Sequence, residues 1–353
     1  MDFRFTAEQL EFRDTVANFL AKECAPEHLR NLLKADVRHS AERWKGLADL
    51  GLMGFFLPED RGGLGLTAVD FVLIAEACGL AALPENFVEQ AAVGVPIFAA
   101  CPPSDAHNEV LSLFAAGDLQ IAMPVPGLPI FSDADIASVL VFSDAEGRVL
   151  AVPREGVAVK PVESIDPFRR LFEIEFKTEV LQVADAELGS RLWFEAMERG
   201  ALFAAAQLVG LAQGMINMAV AYAKERKQFG QAIGSFQAVK HHLASAQVAI
   251  DFARPAVYRA AYAVTHDIIN AGAAVSHAKI AAGDAAMTAS KVAIQVHGAM
   301  GYTFEVDLHL WMKRAWALIG AVGDRNLHME RVADFVLGDN APIGASQTFK
   351  YSA

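Results

Sequence analysis

The sequence predicts an α+β protein with three parts: a helical N-terminal domain, a shortened β-barrel or sandwich in the middle, and a C-terminal four-helix bundle. Helical periodicity marks the start of the chain, and long apolar segments fill its last part. Between them lie short runs rich in Val, Ile and Phe, separated by Gly, Pro, Asp and Ser. We place these domains at residues 1–118, 119–186 and 187–337, with a tail at 338–353.

The composition restricts the class of protein. The chain has 353 residues, 54% of them hydrophobic, and a net charge of −12. A chain of this kind can bury a large core and is not disordered, and its charge argues against general nucleic-acid binding. The first residues carry charges where a signal peptide needs an apolar run, so we expect a cytoplasmic protein. Three scattered cysteines form no disulfide or metal pattern, and we expect buried thiols.

The N-terminal part begins with a helical pattern over Thr6–Leu33. Thr6 and Gln9 have the spacing of a capping box, and Thr67 is placed to cap a further helix through Ala77. The glycines between residues 62 and 65 indicate turn chemistry. The candidate core residues of the first helix are Phe12, Val16, Phe19 and Leu20.

The middle part contains β-rich runs between Leu119 and Ala186. Alternating, β-branched runs of this length, bounded by turn residues, are typical of strands in a small barrel or sandwich. The predicted strands cover residues 136–142, 149–152, 157–162 and 171–176.

The C-terminal part is predicted to be helical. The four expected helices are Leu192–Lys227, Phe236–Ala263, Val275–His297 and Leu308–Leu337. Pro255 is expected to kink or break the second of them. The segment Ala201–Ala223 has no charged residue and is long enough to span a membrane. Because its continuation is charged, we interpret it as a buried bundle helix and expect no membrane association.

The segment from Tyr222 to Leu243 carries the clearest functional signal. Arg226 is expected near a helix end, Gly230 at a left-handed helix terminus, and Gly234 and Ser235 in the turn and N-cap of the next helix. Gln237 then falls in the first turn of that helix. A guanidinium beside a helix N-terminus suits a pyrophosphate, although a surface ion pair is the simpler interpretation of Arg226.

This segment resembles the R-x-Q-F-G-x-x-I-x-x-F-Q signature of the acyl-CoA dehydrogenase family. A second stretch, Gln295–Tyr302, is similar to that family's Q-x-x-G-G-x-G-Y segment. The resemblance implies α,β-dehydrogenation of an acyl-CoA with FAD as cofactor and an electron-transferring flavoprotein as acceptor. It also implies which residues contact FAD: Arg226, Phe229, Gln237, Gln295 and Gly298.

Two departures from the family pattern bear on catalysis. The flavin-holding T-E-P-x-x-G-S-D loop is missing, since the chain reads Ala122–Gly127 and then passes almost directly to a strand. The two positions at which the family carries its catalytic carboxylate hold Val322 and Gly200. A proton abstraction needs a base within hydrogen-bond reach of the substrate, and neither residue can act as one.

Three carboxylates lie near these positions. Asp324 is the candidate base, and its alternative role is the N-cap of a helix from Arg325. Glu198 lies two residues from Gly200, on another helix face, and is expected to be a solvated charge. Glu305 is expected to be a structural ion-pair partner. The adjacent His241 and His242 have no third ligand in the pattern, so we expect no metal site.

Three hypotheses follow. The chain resembles the short subunit of heteromeric bacterial acyl-CoA dehydrogenases, some of which act on steroid side chains, so it is expected to complete the FAD site of a second acyl-CoA dehydrogenase-like subunit in a heterotetramer. Alternatively, it is a self-sufficient enzyme, a homo-oligomer that uses Asp324 as base. The third hypothesis is a scaffold subunit without flavin, which the retained phosphate-binding motifs disfavour.

Overall fold

A computed structural model describes residues 4–103, 105–126, 128–338, 341–342, 344–347 and 350. The chain forms two compact units. The bundle unit comprises Met1–Leu29, Ala68–Leu83 and Ala201–Ala353, and the sheet unit comprises Arg30–Thr67 and Pro84–Gly200.

The α-helices, numbered along the chain, are α1 Ala7–Glu23, α2 Pro26–Lys34, α3 Ala41–Asp49, α4 Ala68–Leu80, α5 Phe87–Glu89, α6 Val95–Ala99, α7 Asp105–Ala115, α8 Ala186–Glu225, α9 Gln237–Thr265, α10 Ala271–His297, α11 Leu308–Gly320 and α12 Arg325–Leu337. The strands are β1 Ile121–Ala122, β2 Ile130–Ser132, β3 Val139–Ser143, β4 Val149–Pro153, β5 Val157–Val162, β6 Leu171–Phe176, β7 Leu181–Ala184, β8 Lys227–Gln228 and β9 Gln231–Ala232.

The N-terminal pattern is confirmed at its start and corrected at its end. The Thr6 side chain accepts a hydrogen bond from the Gln9 backbone, and the Gln9 side chain accepts one from the Thr6 backbone, which is the predicted capping box. The predicted helix over residues 6–33 is two helices, because α1 ends before Cys24 and Pro26 opens α2. Proline suits that first helical position, where its missing N–H is not needed.

The strands of the sheet unit form a sandwich. One sheet has the order β1-β3-β4-β7 and the other the order β2-β6-β5. Alternate residues of the larger sheet face opposite ways, so Leu140 and Val152 share a core with Phe131 and Phe172 of the smaller sheet. Their neighbours Val141 and Ala151 instead pack in the cluster that includes α6 and α7. The predicted strand over residues 136–142 begins later, at Val139.

A buried ion pair anchors the helical part of the sheet unit. The Arg43 guanidinium donates to both carboxylate oxygens of Glu85, at 2.7 and 2.8 Å, and both side chains are almost fully buried. Glu85 also accepts a hydrogen bond from the Ser40 backbone at 2.9 Å. Because both carboxylate oxygens and the fork of the guanidinium are used, the buried charges are well compensated.

Small residues let α4 and α8 approach closely in the bundle unit. A Cβ added to Gly79 would collide with the Gln207 carbonyl, and one added to Gly210 would collide with the Glu76 carbonyl. Residues 201–212 are all buried. Among the described residues, α8 is the helix that is long and apolar enough to cross a membrane, and 78% of its most apolar window is buried within the protein. This burial agrees with its interpretation as a core helix.

The structure bears on two predictions about the later helices. Pro255 was expected to kink or break its helix; it lies inside α9, which continues on both sides of it, so the break does not occur, and a kink stays a prediction. The predicted helix Leu308–Leu337 is divided into α11 and α12. The division occurs because Val322 and Gly323 have φ angles of +54° and +96°, which a right-handed helix cannot contain.

Candidate functional site

The C-terminal ends of α8 and α10 meet at one end of the bundle unit. The side chains of Gln213 on α8 and Gln247 on α9 are hydrogen-bonded at 3.0 Å, and α9 packs along α10. At the C-terminal ends of α8 and α10, Tyr222 stacks on His297 with the ring centres 4.4 Å apart. His297 is buried and its Nδ1 donates to the Ala293 carbonyl at 2.8 Å. This stack brings together the segment Tyr222–Leu243 and the segment Gln295–Tyr302, which must lie close together to form one phosphate site.

A hairpin follows α8 and replaces the helix terminus expected at Gly230. Strands β8 and β9 are joined by Phe229 and Gly230, whose φ angles are +52° and +79°. Two consecutive positive φ angles define a type I′ turn, which suits a two-residue hairpin. Phenylalanine is unusual there, since a left-handed backbone disfavours side chains larger than those of Gly and Asn. Phe229 is 93% exposed, so this turn presents a large apolar side chain to solvent.

The cap of α9 also differs from the prediction. Phe236, rather than Ser235, occupies the N-cap position, and it makes no side-chain capping bond. Ser235 instead donates to the Ala232 carbonyl at 2.6 Å. Gln237 is therefore the first residue of α9, and the backbone N–H groups at this helix end have no side-chain cap. An uncapped N-terminus is available to an anion.

The charge around Arg226 favours a phosphate ligand. Residues 222–242 contain four Lys or Arg residues and one carboxylate, Glu225, in a chain of net charge −12. Arg226 is exposed at the end of α8. In the part of the chain that the structure describes, no ion pair occupies its guanidinium. The surface ion pair considered from the sequence is therefore not formed within these residues.

The backbone conformation at residue 298 favours glycine. This residue ends α10 with a φ of +61° and a ψ of −139°, a conformation that residues with a Cβ rarely adopt. Gln295 lies exposed in the last turn before it. Gly301 is buried, and a Cβ added to it would lie 3.1 Å from the Cβ of His297, so little space is left for a side chain there. An exposed glutamine beside a bare backbone turn offers donors and acceptors to a nucleotide.

The segment between α11 and α12 contains Val322, which the sequence resemblance places at the position of the family's catalytic carboxylate, and Asp324. Val322 has a left-handed φ of +54°, which is strained for a β-branched residue. Asp324 is the N-cap of α12, and its Oδ1 accepts the Leu327 backbone N–H at 2.9 Å. The capping role that the sequence offered for Asp324 is thus confirmed, while its role as a base stays a prediction.

Two buried side chains hold this segment, and the sequence analysis did not identify either. Lys279 on α10 donates through Nζ to the carbonyls of Ile319 at 2.8 Å and Gly323 at 3.3 Å. The Val322 carbonyl lies 3.0 Å from Nε2 of His328 on α12. Because a carbonyl only accepts, Nε2 carries the proton, and Nδ1 accepts from the Ser276 hydroxyl at 3.1 Å.

Burial sets the protonation of both groups. It lowers the pKa of Lys279 to about 8, and the Asp324 charge opposes this change. Burial, followed by the positive charge of Lys279, lowers the pKa of His328 to about 4. At neutral pH the segment is held by one cation and one neutral imidazole. A sequence signal for Lys279 existed, because it occupies a core position in the apolar series Val275, Lys279, Ala282, Ala286, Ala289, Ala293 and Val296.

The other candidate acids behave differently from their expected roles. Glu198 is buried, so the expected solvated charge is wrong. Glu305 is exposed, and its backbone N–H bonds to the Thr303 hydroxyl at 3.4 Å. Among the described residues it forms no ion pair, so that expectation is also wrong. No group of three or more His, Cys, Asp or Glu side chains is placed to hold a metal ion within the described residues.

Comparisons with known proteins show the family of this chain. A family model described as "Acyl-CoA dehydrogenase, C-terminal domain" matches residues 188–337, and one described as "Acyl-CoA dehydrogenase, N-terminal domain" matches residues 6–104. Acyl-CoA dehydrogenase IpdE2 of Mycobacterium tuberculosis is 31% identical over 87% of this chain and 91% of its own length. IpdE2 of Mycolicibacterium smegmatis is 28% identical over 91% of this chain and 96% of its own length.

Solved structures share the fold. The glutaryl-coenzyme A dehydrogenase complex with glutaryl-CoA has a TM-score of 0.87 and 22% identity, covering 100% of this chain and 99% of that one. A chain of the ChsE4–ChsE5 complex from Mycobacterium tuberculosis has a TM-score of 0.84 and 22% identity, covering 97% and 100%. At this identity the likeness concerns the fold alone.

Proposed function

This chain belongs to the acyl-CoA dehydrogenase family, and from that premise we propose that it serves α,β-dehydrogenation of an acyl-CoA as the subunit that completes the FAD site of a partner chain. The observation that carries the proposal is the contrast within the bundle unit. The nucleotide-binding end has an exposed Arg226 and a left-handed Gly298. The segment at the base position instead presents a strained Val322.

The residues of the bundle end fit the adenosine diphosphate half of FAD. The guanidinium of Arg226 and the uncapped N-terminus of α9 at Gln237 would hold the pyrophosphate. Gln295 and the backbone at Gly298 would contact the adenosine. The exposed Phe229 would pack between the adenosine and the partner chain. When bound, FAD supplies the acceptor for a hydride from the acyl β carbon.

A partner subunit would supply what this chain lacks. In this proposal the partner's carboxylate removes the α proton, since this chain's aligned positions hold Val322 and Gly200. A heteromeric complex, ChsE4–ChsE5, occurs among the structural neighbours and supports such an assembly. The expected electron acceptor is an electron-transferring flavoprotein, and one structural neighbour carries that description. We place the complex in the cytoplasm, with a lipid or steroid side chain as its acyl group, as a neighbour described as a steroid acyl-CoA dehydrogenase suggests.

Flavin content tests the proposal directly. The chain is purified alone and after co-expression with a long acyl-CoA dehydrogenase subunit encoded beside it. We expect the yellow flavin spectrum only in the complex, at about one FAD per two chains, because the site needs both subunits. One FAD per chain in the isolated protein would overturn the heteromeric proposal. A colourless complex that still assembles would favour the scaffold.

Arg226 provides a matched pair of variants for this experiment. Arg226→Ala in the complex should weaken FAD binding about 10- to 100-fold, because a charge-assisted bidentate contact to phosphate is lost. Lys227→Ala removes the neighbouring exposed cation and should leave the affinity within about 3-fold. FAD released by dilution is measured by its fluorescence. An equal loss of FAD affinity in both variants would indicate a general electrostatic effect and not a specific contact between Arg226 and the phosphate.

The self-sufficient alternative depends on Asp324, and one substitution separates its two roles. Asparagine is as good an N-cap as aspartate but cannot accept a proton in catalysis. We therefore expect Asp324→Asn to keep the turnover of the complex within about 2-fold, whereas Asp324→Ala should destabilise α12 by about 1 kcal/mol. Turnover is followed by dye reduction and stability by urea denaturation. A loss of turnover in Asp324→Asn with FAD retained would establish Asp324 as the base.

A further inference from the structure

A cavity in the sheet unit has no role in the site described above. It has a volume of about 830 Å³, within the range of roughly 300–1,000 Å³ typical of small-molecule sites. It lies between α7 and the edge of the sheet formed by β1, β3, β4 and β7. None of its lining residues belongs to the bundle unit, so it is separate from the nucleotide-binding end.

One face of α7 forms the helical wall of the cavity. His107, Val110 and Phe114 are spaced by three and four residues and therefore point to the same side of the helix. The opposite wall consists of the ends of β3 and β4 and the whole of β7. Small side chains there, such as Ala151 and Ala184, leave room where larger ones would fill the space.

Two titratable groups of the lining, Cys101 and His107, are shifted toward their neutral forms. Burial raises the pKa of the Cys101 thiol to about 11, and the thiol donates to the Ile97 carbonyl at 3.4 Å. His107 lies flat against Phe98, with the ring centres 4.7 Å apart, and burial lowers its pKa. A charged ligand would therefore meet no opposite charge from either of these groups.

Two polar residues of the lining, Ser138 and Asp185, accept hydrogen bonds from the backbone. The Ser138 hydroxyl accepts from the Gln120 N–H at 3.2 Å. The Asp185 carboxylate accepts from the Leu188 N–H at 2.9 Å, at the start of α8. Because most of the lining side chains are apolar, the chemistry that the cavity offers a ligand is mainly apolar contact.

An exposed leucine stands at the mouth. Leu181 is 62% exposed at the start of β7, which is the edge strand of its sheet. Edge strands usually carry charges that prevent pairing with other chains, so an exposed leucine beside an apolar cavity is unexpected there. Apolar contact with an occupant of the cavity would account for its presence.

We propose that this cavity binds an uncharged, apolar small molecule of aliphatic or alicyclic hydrocarbon character. This class of ligand is supported by the size of the cavity, its apolar walls and the small side chains of the wall opposite α7. It is also supported by the exposed Leu181 at the mouth. The proposal is independent of the proposed flavin chemistry, because the site is built from the sheet unit alone.

The neutral fluorescent probe N-phenyl-1-naphthylamine tests it with the full-length chain. We expect saturable binding of about one probe per chain, seen as increased emission in an apolar site. Val110→Phe, which fills the cavity, and Leu181→Asp, which places a charge at its mouth, should each weaken binding at least about 10-fold. Ile165→Asp is the control, because Ile165 is 54% exposed in the same unit but does not line the cavity.

Circular dichroism and the thermal midpoint show whether each variant is folded. Equal binding by folded Val110→Phe, Leu181→Asp and the unaltered chain would overturn the proposal, as would emission that never saturates. The measurement is repeated on the complex with the partner subunit. If the probe no longer bound after assembly, a side chain of the partner subunit would fill the cavity in the complex. That result would also overturn the proposal.

Discussion

Replacing Lys279 by methionine is expected to lower the free energy of unfolding by about 3 kcal/mol, because two part-buried carbonyls lose a charged donor. The side chain is only 3% exposed, and its Nζ contacts the Ile319 carbonyl in the last turn of α11 and the Gly323 carbonyl in the connection to α12. Methionine fills the volume of the lysine stem, so the loss reports the hydrogen bonds more than a cavity.

Urea denaturation followed by circular dichroism measures this effect. Lys291→Met is the matched control, since Lys291 is exposed on the same helix, α10, and its replacement should change stability by less than about 0.5 kcal/mol. If Lys279→Met were as stable as the control, the segment would be held by backbone geometry alone. The two lysine bonds would then have no measurable part in stability.

The acid stability of the protein should depend on His328. Its pKa is about 4 in the folded chain and 6.5 as its ordinary value, and the side chain is 1% exposed. Between these values the unfolded chain binds a proton that the folded chain does not, so stability falls as the pH decreases from 6.5 toward 4. The difference of about 2.5 pKa units corresponds to about 3 kcal/mol, present above pH 6.5 and lost below pH 4.

The comparison with His328→Gln isolates this contribution from other titrating groups. Lys279 and Arg331 oppose a proton on His328, whereas Asp324 and the Val322 carbonyl favour one. The unfolding free energy of the glutamine variant should therefore depend less steeply on pH between 6.5 and 4. If the unfolding free energies of the unaltered protein and of His328→Gln changed with pH in the same way, the pKa of His328 would be the same in the folded and the unfolded chain. Burial would then have no effect on that pKa.

Local signals explain which parts of the fold could be predicted. The capping box at Thr6 and Gln9 depends on residues three apart, and the cap at Asp324 depends on the turn that follows it. The two motifs of the proposed phosphate site could be found because each is continuous in sequence. Successive helices of the bundle are antiparallel, and this arrangement places the motifs close together, with Tyr222 against His297.

Local patterns failed where backbone dihedrals and distant partners decide the structure. The pattern through Leu308–Leu337 is helical, yet left-handed angles at Val322 and Gly323 divide it. The hairpin at Phe229 was predicted as a helix terminus, because a glycine with positive φ serves both structures. Pro255 was expected to kink or break its helix, yet α9 continues on both sides of it.

The sequence by itself determined the family, the order of helical and β segments, and the absence of a carboxylate at two aligned positions, Val322 and Gly200. These properties are carried by continuous motifs and by periodicity. Only the tertiary structure decided how the segment around Val322 is held, since Lys279 lies about 40 residues away along the chain and His328 reaches back across a helix start. The same holds for the sheet-unit cavity, because its walls are formed by side chains from α7 and β7 that are distant in sequence and meet only after folding.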